Sequence, residues 1–106
     1  MKSVVLDTGA LKRFSDTGCV KEQIWSDHHG RITLICLKPG QEIHTHTHHG
    51  SHIWMVMEGT GEFMSGKDHR EISVGQIVVV PPLEDHGIRN GSDAGLVIAS
   101  ITGSGD

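Results

Sequence analysis

Apolar residues in this chain fall in short runs, not in long periodic stretches. Val4 to Leu6, Ile32 to Leu37, Ile53 to Met57, Ile77 to Val80 and Leu96 to Ile101 are separated by segments rich in Gly, Asn and Asp. Short β-branched runs with turn residues between them predict strands. Gly59, Gly61, Ser65-Gly66-Lys67-Asp68 and Asn90-Gly91 sit where tight turns need positive φ or a side chain that bonds its own backbone. No window carries a sustained helical period, and an interior Gly costs a helix about 1 kcal/mol relative to Ala. The pattern predicts an all-β domain of about ten short strands, closed as a barrel or a two-sheet jelly roll that leaves few exposed edges.

Composition narrows the function. At 106 residues the chain is long enough for one core, so one domain over 1–106 is expected and large α/β folds are excluded. Nine basic side chains face thirteen carboxylates, for a net charge of −4, which argues against a nucleic-acid surface. No apolar run approaches the roughly 20 residues that span a bilayer, and residues 1–13 hold no signal-peptide stretch, so a cytoplasmic protein away from membranes is expected. Cys19 and Cys36 fit neither a redox pair nor a zinc ribbon and read as free thiols. Only the terminal Gly103-Ser104-Gly105-Asp106 looks like a low-complexity tail.

Nine His are the unusual number, and five lie between residues 44 and 52. Alternation with Thr45 and Thr47 suits an extended strand on which His44, His46 and His48 share one face. His46 and His48 then stand about 6–7 Å apart at Cα, close enough for both rings to reach one ion. After a turn at His49-Gly50-Ser51, His52 opens a second strand running back beside the first and offers a third donor. The helical alternative, with His48 and His52 at i and i+4, is poorly served by Thr, Val and Ile. A further His, His86, follows the run Ile77 to Val80 and two prolines; taken alone it reads as a structural histidine.

These residues carry a family resemblance. The chain resembles a small single-domain cupin, whose first motif runs G-x5-H-x-H-x3–4-E-x6-G and whose second runs G-x5-P-x-G-x2-H-x3-N. Gly40, His46, His48, position 52 and Gly59 match the first over about 40–59; Gly75, Pro81, His86 and Asn90 match the second over about 75–90. Two positions depart. His52 stands where the family usually has Glu, and Leu83 where the second motif usually has Gly; a bulky residue meets a steric penalty at positive φ that Gly avoids.

The resemblance implies a double-stranded β-helix jelly-roll barrel, a homodimer, and one divalent transition metal ion held by His46, His48, His52 and His86. Four neutral imidazoles leave the site at +2, where three and a carboxylate leave +1. Octahedral coordination would keep two positions open, and imidazole suits Fe, Ni, Zn and Cu, with Mn less favoured. It also implies a dioxygenase-like enzyme acting on a small oxygen-bearing metabolite. The alternatives are an isomerase or decarboxylase, or a non-catalytic module that holds a metal or senses a small molecule. His44 and Glu84 are the candidate acid–base groups, with Glu84 and Asp85 also placed to orient the His86 ring. Trp54, two residues beyond His52, is a candidate pocket wall. Met55 and Met57 face the other way, His49 is expected to be exposed, and His28, His29 and His69 receive no role.

Overall fold

The computed structural model describes residues 2–103, so the tail beyond Gly103 lies outside it. Nine strands follow a single helical turn, α1 (Thr8–Leu11), whose N-cap Asp7 accepts from the backbone of Gly9 and Ala10. They are β1 (Val20–Asp27), β2 (Gly30–Leu37), β3 (Glu42–His46), β4 (His52–Glu58), β5 (Thr60–Ser65), β6 (Asp68–Ser73), β7 (Ile77–Val80), β8 (His86–Arg89) and β9 (Leu96–Gly103). Two antiparallel sheets form, one ordered β1-β2-β9-β4-β7 and the other β3-β8-β5-β6. This is the jelly roll that the strand punctuation predicts.

Alternation decides what each sheet buries. On β4 the residues Trp54 and Val56 point inward while Ile53, Met55 and Met57 point out. Ile35, Leu37, Leu96 and Ile98 of the larger sheet meet Ile43, Ile72 and Ile88 of the smaller in one core. Fully burying such a side chain contributes roughly 1.5–3 kcal/mol. A second cluster, Leu34, Cys36, Val97 and Ala99, lies on the outer face and is partly covered by Phe14. The two cysteines are free thiols.

Three local expectations need correction. Val4 to Leu6 forms no strand, whereas the unanticipated β1 does, its apolar residues being too widely spaced to read as a run. Gly61 is inside β5, not in a turn; a Cβ there would meet Leu96 Cδ2 at 2.5 Å, so close packing is what demands Gly. Finally, β4 does not return beside β3: it pairs with β9 and β7, while β3 pairs with β8 in the opposite sheet. The chain between His46 and His52 therefore crosses from one sheet to the other. Among the described residues, no helix is long and apolar enough to cross a membrane.

Candidate metal centre

His46 and His86 are direct partners across the β3–β8 ladder. His46 ends β3 and His86 opens β8, because Pro81 and Pro82 terminate β7 and the chain must turn before pairing resumes. His48 follows in the crossover, and His52 is the first residue of β4. The four rings thus come from both sheets and the crossover between them, and meet at one end of the barrel. Ring centroids lie 4.6 Å apart for His46 and His48, 4.5 Å for His46 and His86, and 4.0 Å for His48 and His52.

Donor atoms of His46, His48 and His86 all lie within 4.8 Å of one another. Nitrogens about 2.0–2.1 Å from a common ion stand at most about 4.2 Å apart, so small ring rotations would bring all three into coordination distance. His52 is 5% exposed and its ring is 5.3 Å from that of His86, adjoining the trio without completing so tight a set.

Hydrogen bonds set which nitrogen faces the ion. The Nδ1–H of His46 donates to the His44 carbonyl at 2.9 Å, and that of His86 to the Glu84 carbonyl at 3.0 Å. Each ring is tied to the backbone two residues earlier, which leaves its Nε2 lone pair for a cation. His86 Nε2 is buried and has no hydrogen-bond partner among the described residues. Burial also pushes the His86 imidazole below its ordinary pKa, with the neighbouring His46 and His52 adding to the effect and the Glu84 carbonyl opposing it. A neutral ring with an orphaned, inward lone pair is what a divalent ion needs, so these residues fit one.

Neither acid–base candidate reaches the cavity. The β3–β8 register shifts between Ile43 and His46, so alternation breaks there and His44 does not share the face of His46 and His48. Its side chain is 88% exposed and lies 3.6 Å from the Glu42 carboxylate. Glu84 instead accepts from Ser65 Oγ at 2.6 Å; its backbone carbonyl, not its carboxylate, orients His86. Asp85 and His49 are exposed, His69 pairs with Glu62, and His28 stacks on His29.

Trp54 does form a wall. It is 2% exposed and packs edge-on to His86 at 5.4 Å and to Phe63 at 5.8 Å. The cavity it lines, about 190 Å³, also touches His46, His48, His52, Ile35 and Ile43. Sequence reasoning missed the polar side of this wall, which is Lys21, Arg31, Thr33, Ser100 and Thr102. Alternation along β2 held the signal, since Arg31 and Thr33 share the face of Ile35 and Leu37. A larger groove of about 370 Å³ lies elsewhere, along β6 and β7, and touches none of the four histidines.

Solved structures similar to this one share its fold. A protein of Thermus thermophilus is 24% identical, with 94% of this chain and 96% of that one covered and a TM-score of 0.88. A conserved protein with a double-stranded β-helix domain from Klebsiella pneumoniae is 20% identical, with 99% and 93% covered and a TM-score of 0.90. A cupin superfamily protein from Desulfitobacterium hafniense is 12% identical, with 98% and 94% covered and a TM-score of 0.82. No curated protein matches the chain. The cupin domain family model matches residues 33–102, which run from the inner face of β2 through every histidine of the cluster to Thr102 of β9. With two sheets closing over that cluster, the chain belongs to the cupin domain family.

Proposed function

We propose that this protein is a metal-dependent enzyme of the dioxygenase type that acts on a small oxygen-bearing metabolite. His46, His48 and His86 hold the ion, and His52 is the fourth donor. The observation that carries the reading is the convergence of three imidazoles within 4.8 Å, two of which, His46 and His48, line a cavity. A bound divalent ion would supply Lewis-acid polarisation of a ligand oxygen. The chain supplies the rest. The carbonyls of His44 and Glu84 fix the ring tautomers, and Trp54, Ile35 and Ile43 restrict water on the apolar side.

Elemental analysis of protein purified without a histidine tag identifies the ion. Oxygen uptake by the Fe and Mn forms, screened over enolisable diketones, diols and thiols, tests the activity. Uptake with a defined substrate class supports the proposal; silence across metals and classes overturns it. Product mass with and without O2 distinguishes an isomerase or decarboxylase.

One observation favours a second reading, a non-catalytic small-molecule or metal-binding module. His44 and Glu84 both stay outside the cavity, which deprives it of the acid–base groups expected of them. Supporting a homodimer, Ile77 and Val79 are exposed on β7 opposite Met55 and Ile53 of β4, an apolar strip that a second copy would cover. Sedimentation equilibrium tests that assembly.

A further inference from the structure

The cavity beside the histidines has cationic side chains in its wall. In a chain of net charge −4, its wall carries Lys21 and Arg31 and, among the described residues, no Asp or Glu. Register places these groups in order. Arg31 of β2 pairs with Thr102 of β9, which pairs with His52 of β4, so the three lie in one row across the sheet. With strands about 4.8 Å apart, the Cα atoms of Arg31 and His52 are separated by roughly 10 Å, with Thr102 midway. Thr102 Oγ1 and Trp54 Nε1 are buried and have no hydrogen-bond partner among the described residues. Two orphaned groups that can donate, Thr102 between the histidine end and the cationic end and Trp54 on the same cavity wall, call for acceptor oxygens on the ligand.

We infer that the cavity takes a small organic oxyanion with two oxygen-bearing ends. One end faces the histidines, and the other, a carboxylate or phosphate-type group, is held by Arg31 with Lys21 adding charge. Thr102 Oγ1 donates to the ligand between those ends. A guanidinium matches a planar or tetrahedral oxyanion through paired N–H donors, which makes Arg31 the specificity-determining residue and Lys21 a longer-range attractor. Size sets the other limit. A volume of 190 Å³ is that of roughly six water molecules, at about 30 Å³ each, and suits a small ligand. This inference rests on the metal-site reading, because it places one end of the ligand against the histidines.

Calorimetric titration of zinc-loaded protein with malonate, phosphonoacetate and neutral malonamide tests it, after the zinc content of every sample has been measured. Malonate or phosphonoacetate should bind at least about tenfold more tightly than malonamide, as expected when a charge-assisted hydrogen bond is lost. The ratio of the two anions tells carboxylate from phosphate preference. Arg31→Gln should abolish the discrimination at unchanged zinc stoichiometry, and Arg31→Lys should restore part of it. Should Arg31→Gln fail to fold, Lys21→Gln on the exposed strand β1 should still weaken malonate severalfold and flatten its dependence on salt. Equal binding of malonate and malonamide by zinc-replete protein overturns the inference alone. Protein that takes up no zinc overturns the metal reading first, and is recognised as such before any anion is added.

Discussion

The backbone N–H of Leu83 donates to the carbonyl of His48 at 2.8 Å, from a residue whose φ is +66°. Leu83 is the one non-glycine residue in the left-handed region among those described. The departure from the family's second motif thus places a bulky residue at a positive φ, which Gly would adopt without strain. That conformation clasps the crossover segment carrying His48, while the Leu side chain stands 64% exposed and gains little packing in return.

Leu83→Gly should therefore stabilise the protein. The left-handed conformation costs a non-glycine residue roughly 1–2 kcal/mol, and the added freedom of Gly in the unfolded chain takes back about half of that. A net gain of about 0.5–1 kcal/mol in chemical denaturation is expected, with metal affinity unchanged. Leu83→Val, β-branched at the same φ, should lose at least about 1 kcal/mol.

Metal affinity should separate side-chain donors from backbone supports. His86→Ala removes a donor and should weaken zinc binding by more than about 100-fold, beyond what losing an orienting group costs. His44→Ala leaves the carbonyl that orients His46 in place and should alter affinity less than about threefold. His52→Glu, which replaces an imidazole with the family's usual carboxylate, should tighten binding of a divalent cation. Competition with a chromophoric chelator reads all three.

Gly87, next to His86, is demanded by close approach. A Cβ there would stand 2.5 Å from the Ile43 carbonyl oxygen and 3.0 Å from the Thr45 amide, both backbone atoms that cannot swing away. Gly87→Ala should force β8 from β3 at the irregularity that sets His46 opposite His86. The expected cost is about 1–3 kcal/mol of stability, in the range of overpacked cores, together with weaker metal binding. Thermal unfolding with and without zinc checks both effects.

Burial pushes the Cys36 thiol above its ordinary pKa, partly opposed by the hydrogen bond from the Arg13 backbone. In the unfolded chain the same thiol ionises near pH 8.5, so unfolding releases a proton once the pH exceeds that value. The stability linked to Cys36 is full below about pH 8.5 and is lost as pH rises toward the folded pKa. Wild type should lose stability between pH 8 and 10 faster than Cys36→Ala. A disulfide reagent at pH 8 should label the half-buried Cys19 quickly and Cys36 only on unfolding.

Strands were legible because a sheet half-buried on one face must alternate or cluster its apolar residues, so β2, β4, β7 and β9 stood out. The histidines were legible because ligand spacing survives in one dimension: H-x-H at His46 and His48, then His52, and His86 just after a strand-ending Pro-Pro. Strand partners were not. Whether β4 returned beside β3 or crossed to the other sheet depends on which ladder satisfies more backbone groups and buries more surface, a property of the assembled barrel. The irregularity that turns His44 outward is of the same kind, since a single extra residue in a ladder leaves no mark on composition. So is the row of Arg31, Thr102 and His52, three residues far apart along the chain. Sequence determined which side chains can bind a cation; only the closed pair of sheets decided what faces them across the cavity.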